Sequence, residues 1–138
     1  MNKKGFTLVE LLGVIVILSI LALISIPIIN SIVKDSQKQV KESNIDTILE
    51  AAYSYTLDED IDIVLPENND ESISITLDTL KKSGYLKKEI KNADTKEPYA
   101  DTCTVTITKK AYDKDEADIN NENPNMKYYN NYLYTFGC

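Results

Sequence analysis

The chain begins with an almost unbroken apolar run. From Leu11 to Val33 there is no charged residue, and between Leu11 and Ile29 only Gly13, Ser19, Ser25 and Pro27 interrupt the aliphatic side chains. As a helix this stretch covers ~28 Å at ~1.5 Å per residue, close to the ~30 Å hydrocarbon core of a bilayer. The pattern predicts a membrane-inserting helix. It exceeds the usual apolar region of about 7–15 residues in a secretory signal peptide, and no A-x-A-like cleavage site follows it. Further on, Val33, Val40, Ile45, Ile48, Leu49 and Ala52 continue a stripe at helical spacing. That stripe is sparse from Lys34 to Asn44 and dense from Ile45 to Tyr53, so the dense part is expected to be the face buried by a globular domain. No Gly or Pro occurs from Ile28 to Leu65. One helix from about Leu8 to Thr56 is therefore predicted, with Pro27 as its only breaker. Proline removes the hydrogen bond to the carbonyl of Leu23 and clashes there, so a kink is expected. Within a packed bundle, Ser25 or a neighbouring helix is the expected source of a replacement donor for that carbonyl.

The remaining pattern is shorter in period. Ile61 to Leu65 reads as a short strand ending at Pro66, followed by an acidic turn. Ser72 to Thr76 alternates but is brief. Leu77 to Gly84 reads as a short helix with Gly84 as its C-terminal stop. Thr102 to Thr108 is the clearest strand, with Cys103, Val105 and Ile107 on one face and threonines on the other. Asp113 to Asn125 is expected to be a polar loop. Tyr128 to Phe136 gives a last strand, interrupted or turned at Asn130-Asn131, whose tyrosines suggest a half-buried packing face with hydroxyls outward. These elements define an α+β class: a long N-terminal α-helix packed on a small antiparallel β-sheet head of three or four strands.

Composition narrows the function. The chain has 138 residues, 15 lysines and no arginine against 22 Asp plus Glu, with no His. Without Lys3 and Lys4 the balance is −9. An acidic soluble part argues against direct nucleic-acid binding, which needs clustered Lys or Arg. Lack of His removes the commonest general base and metal ligand, and two Cys are too few for a structural zinc site. No nucleophile-base pair, phosphate loop or metal spacing is present, so no enzymatic activity and no cofactor are expected. Asp58-Glu59-Asp60-x-Asp62 lacks the Gly and terminal Glu of a calcium loop, and Asp113, Asp115, Asp118 and Asn120 fit no metal motif. Both clusters read as solvated faces.

The polar residue at the head of the apolar run is Glu10. Thr7-x-x-Glu10 fits a capping box, and a carboxylate in the first turn complements the helix dipole. An ionisable group at membrane depth is also a functional candidate in its own right. Together, Lys3-Lys4-Gly5-Phe6-Thr7-Leu8-Val9-Glu10 resembles the processing site of the type IV pilin and pseudopilin superfamily: a short basic leader, Gly before the cut, Phe after it, and Glu as the fifth residue of the mature chain. TLDTLKKSGYL, followed by a polar turn to Pro98-Tyr99, more loosely resembles a segment of small Gram-positive-type members.

The resemblance implies a plan for the whole chain: a leader at 1–5, a hydrophobic transmembrane and assembly helix at 6–30, an amphipathic continuation at 31–57 and a head at 58–138. It implies a single-pass precursor in the cytoplasmic membrane with its N-terminus inside; lysines flank the span on both sides, so charge hardly decides the orientation. A prepilin peptidase would cut between Gly5 and Phe6 and methylate the amine of Phe6. Glu10 would pair with the Phe6 amine of a neighbouring subunit during filament assembly at the cell surface. The implied partners are identical or related pilin subunits, the peptidase, an inner-membrane assembly platform and the membrane. Some members carry a glycine before the proline and unwind there in the filament; this chain has Ser19 in that neighbourhood.

Cys103 and Cys138 either remain as two reduced thiols or form a bridge. Many family members join a C-terminal cysteine to an upstream one, and an exported location permits oxidation. Within the family, major pilin, minor pilin and competence or secretion pseudopilin are the alternatives. A reading from another class is an uncleaved, membrane-anchored extracellular binding module, which accounts for the apolar segment but not for Gly5, Phe6 and Glu10 together.

Overall fold

The computed structural model describes residues 5–87, 89–111 and 123–138. The leader lysines Lys3 and Lys4, and the acidic positions Asp113, Asp115, Asp118 and Asn120 with most of the expected polar loop, lie outside the described residues. Contacts divide the chain into two compact units, Met1–Gln37 and Lys38–Cys138. Helix α1, Leu8–Leu57, contributes to both and is continuous through Pro27.

In the first unit the apolar side chains of α1 are exposed in the single chain, from Leu8 to Val33. Its serines bond to their own helix: Ser19 Oγ donates to the Ile15 carbonyl at 2.6 Å, Ser25 Oγ to Leu21 at 2.7 Å, and Ser31 Oγ to Ile28 at 2.8 Å. In the single chain Ser25 uses its hydroxyl one turn back on Leu21, which leaves a neighbouring helix as the expected donor to the Leu23 carbonyl that Pro27 frees.

The second unit is built around a four-stranded antiparallel sheet. Its strands are β1 (Ser72–Thr76), β2 (Thr104–Lys109), β3 (Met126–Tyr129) and β4 (Tyr132–Gly137), in spatial order β1-β2-β4-β3. Between β1 and β2 lies the six-residue helix α2, Leu77–Lys82. The register aligns Ile75, Val105 and Phe136 across one face, and Ser74, Thr106, Thr135 and Met126 across the other. The first face packs on the dense part of the α1 stripe. Ile45, Ile48, Leu49 and Ala52 meet Ile75, Leu77, Leu80, Val105, Ile107 and Tyr134 in one buried cluster. Each large aliphatic side chain buried there contributes about 1.5–3 kcal/mol.

Local chemistry sets the turns. Thr76 caps α2 by accepting the Thr79 N–H at 3.3 Å. Gly84 terminates it with φ +81°, a left-handed conformation that glycine adopts at no steric cost, while Tyr85 N–H closes back on the Leu80 carbonyl at 3.0 Å. Of the two readings for Tyr128 to Phe136, the turn is the one realised. Asn130-Asn131 is a two-residue hairpin connection, and Asn130 takes φ 54°.

Ile61 to Leu65 does not enter the sheet. Ile63 N–H bonds the Ile61 carbonyl only two residues back, at 2.9 Å, and Pro66 has no N–H to give. Ile63 and Leu65 still pack against the core, while Asp62 and Val64 face outward. The alternation reports which side is buried. It does not report a ladder.

Candidate functional site

The N-terminal segment is organised by one reciprocal contact. Thr7 N–H donates to Glu10 Oε2 at 2.9 Å, and Glu10 N–H donates to Thr7 Oγ1 at 3.2 Å. The next ring is closed by Leu11 N–H on the Thr7 carbonyl at 3.1 Å. Two of the four orphan N–H groups at a helix start are thereby satisfied. Gly5 and Phe6 precede this box; Phe6 is 86% exposed, and nothing lies within 4 Å of where a Cβ on Gly5 would sit. The segment before the cap is thus sterically open. It is followed by the one helix, among the described residues, that is long and apolar enough to cross a membrane.

In the second unit Cys103 and Cys138 are joined by a disulfide, with Cα atoms 4.3 Å apart. The β2–β4 register explains the approach: Thr104 pairs with Gly137, so the residues just outside the ladder are neighbours. Cys103 is buried and Cys138 exposed. Nearby, Tyr99 packs edge-on against Phe136 with centroids 5.1 Å apart.

The tyrosines of the last hairpin are chiefly packing groups. Tyr129 stacks on Tyr53 of α1 at 4.2 Å, and Tyr134 meets both rings edge-on. Tyr134 corrects the expectation of outward hydroxyls: it is almost wholly buried, and its OH lies 2.9 Å from Thr56 Oγ1. Burial pushes the Tyr134 phenol up from its ordinary value. Lys127 ties β3 to α1 through Asp46 at 2.7 Å, and Lys41 ties α1 to Asp94 at 2.8 Å.

Asp58, in the acidic run after α1, accepts a hydrogen bond from the Tyr85 hydroxyl and another from Asp60 N–H. The first of these chiefly holds the Asp58 carboxyl below the usual range, and the same contact raises Tyr85. Sequence alone did not pair these residues; the only local signal is an aromatic directly after the glycine stop of α2. No group of three or more His, Cys, Asp or Glu side chains converges among the described residues.

A capping box, an open Gly-Phe pair and an apolar helix leading into an α+β head define a prepilin-like class. Comparison with known proteins agrees. Residues 1–26 match the family described as the prokaryotic N-terminal methylation motif. The chain is also 35% identical, over 91 residues, to the ComG operon protein 3 homolog of Bacillus licheniformis, an alignment spanning 66% of this chain and 82% of that protein. No solved structure matches. The chain belongs to the type IV pilin and pseudopilin superfamily.

Proposed function

We propose that the protein is a structural subunit of a type IV pilus or related pseudopilus, drawn from the membrane into a filament after its leader is removed. The observation that carries this reading is the co-occurrence of Gly5-Phe6, Glu10 and an apolar helix left wholly exposed by its own chain. A passive anchor needs only the apolar length. Cleavage between Gly5 and Phe6 creates a new amine four positions before Glu10, and methylation leaves that amine charged. Within a bundle of helices Glu10 of an incoming subunit pairs with the Phe6 amine of its neighbour, because a buried carboxylate without a partner is heavily penalised. The exposed helix exchanges lipid for other subunits in an open, head-to-tail array.

Similarity to the ComG operon protein 3 homolog favours a competence-type pseudopilin over a long adhesive fibre. The head is acidic, with Asp and Glu outnumbering Lys, so a role in DNA uptake would run through the filament and not through this subunit's own contacts.

The N-terminus of the mature protein tests the proposal. Mass spectrometry of cell-derived protein is expected to find methylated Phe6. Retention of Met1 would reassign the chain as an uncleaved anchor. Electron microscopy of sheared surface material then separates an abundant fibre from a short pseudopilus.

A further inference from the structure

The sheet of the second unit ends, among the described residues, in a strand with one unpartnered side. β1 is the terminal strand. Lys109 N–H bonds the Glu71 carbonyl and Leu77 N–H bonds the Cys103 carbonyl, so odd-numbered positions of this strand face β2. By the alternation of an antiparallel ladder, the backbone groups of Ser72 and Ser74 point away from the sheet. Among the described residues no backbone partner meets them, and both residues are exposed. Natural edge strands are commonly blunted by lysine, proline or a cover. This one reads Ser-Ile-Ser-Ile-Thr, with no lysine or proline in the strand.

Beside that edge residues 64–68 and 71–73 line a groove. Its lining includes Val64, Leu65, Pro66 and Ile73 together with Glu67 and Glu71. Val64 is 76% exposed, one of few large aliphatic side chains left in water outside the N-terminal helix. The surrounding sequence has no lysine between Lys41 and Lys81. A strand lying here would meet the outward backbone groups of Ser72 and Ser74, the apolar side chains of the groove and two carboxylates.

From this we infer that the β1 edge and its groove receive an extended, lysine-bearing segment of a partner protein by strand addition. Main-chain bonds to Ser72 and Ser74 supply the affinity. Alternate side chains of that segment meet either the apolar Val64, Leu65 and Ile73 or the carboxylates of Glu67 and Glu71. An acidic segment is disfavoured by like charge, which excludes the chain's own 58–71 stretch from a second copy as occupant. The inference stands apart from filament assembly, since none of these residues belongs to the N-terminal segment.

The test uses the full-length chain in detergent micelles and two capped heptapeptides, one alternating lysine with valine or isoleucine, the other glutamate with the same residues. Amide exchange is read by NMR. The lysine peptide is expected to slow exchange at Ser72 and Ser74 by at least about tenfold, and the glutamate peptide to leave it unchanged. Ser74→Pro removes an outward N–H without touching the β2 ladder and is expected to abolish the effect. Glu67→Lys/Glu71→Lys is expected to transfer it to the glutamate peptide. If Ser74→Pro disturbs folding, seen as lost protection at Val105 and Ile107, the charge-reversed pair decides alone. No protection, or equal protection by both peptides, overturns the inference. Protection that grows with protein concentration without any peptide also overturns it, by making the edge a self-association site.

Discussion

Thr7 and Glu10 exchange hydrogen bonds in both directions, backbone N–H to side chain each way, at 2.9 and 3.2 Å. The carboxylate proposed to guide assembly is therefore already employed in starting the helix. These two duties separate by substitution, because capping needs an acceptor oxygen whereas pairing with an amine needs a charge.

Three variants make that separation. Glu10→Gln keeps an oxygen for the Thr7 N–H but loses the charge; Thr7→Ala loses one cap bond and keeps the charge; Glu10→Ala loses both. Loss of a cap costs about 1 kcal/mol, too little to expel so apolar a helix from a membrane. All three are expected to be cleaved normally. Glu10→Gln and Glu10→Ala are expected to yield little sheared filament material, and Thr7→Ala near-normal amounts. Immunoblots of precursor, mature and sheared fractions read the result, and normal assembly of Glu10→Gln removes charge pairing from the account.

The disulfide is expected to carry a large share of the head's stability. Cys103 and Cys138 stand 35 positions apart, and a closed loop of that size is worth roughly 4 kcal/mol in the chain-entropy description. A core of roughly 80 residues has little margin beyond that. Thermal unfolding of the oxidised and reduced chain in micelles checks the point. A fall in Tm of only a few degrees on reduction would show that packing alone sustains the head.

Much of this was legible in the chain, and the failures have physical causes. The helix expected from Leu8 to Thr56 runs Leu8–Leu57, because an apolar run followed by a helical stripe with no Gly or Pro beyond Pro27 leaves few alternatives. Gly84 was legible as a stop for the same local reason. Thr7 and Glu10, three residues apart, could be paired from spacing. Ile61 to Leu65 misled because alternation records burial on one side, whereas a strand also needs a neighbour to bond. Tyr53 and Tyr129 stack across 76 positions of sequence, and Asp58 finds Tyr85 across 27. No local pattern encodes such meetings, since the topology of the sheet creates them.

The Asp58–Tyr85 contact predicts pH dependence at both ends of the range. Asp58 is held below its usual 3.8, so its stabilisation is fully present above that value and is lost as pH falls through the depressed pKa. Tyr85 is held above its usual 10.0 as the neutral phenol, so its share is present below 10.0 and is lost as pH rises through the elevated pKa. Amide exchange around Asp58 to Asp60 is expected to quicken at both extremes. Tyr85→Phe should flatten both limbs, and an unchanged acid limb in that variant would assign it to the other carboxylates of the acidic run.

The boundary of the head along α1 yields the last prediction. Ile48 is fully buried among sheet residues, whereas Val40, eight positions earlier on the same helix, is half exposed. Ile48→Ala deletes packed methyl groups and opens a cavity, expected to cost about 2–5 kcal/mol. Val40→Ala removes side-chain area that is largely in water already, and is expected to change head stability by less than about 0.5 kcal/mol. Denaturant melts of both variants, followed by tyrosine fluorescence from the Tyr53, Tyr129 and Tyr134 cluster, give the comparison directly. A cost at Val40 matching that at Ile48 would extend the buried face of α1 into the sparse part of its stripe. Assembly should rank them differently. On the proposed assembly, with the exposed face of α1 packing on other subunits as far as Val40, Val40→Glu is expected to spare the isolated head while reducing the yield of sheared filaments.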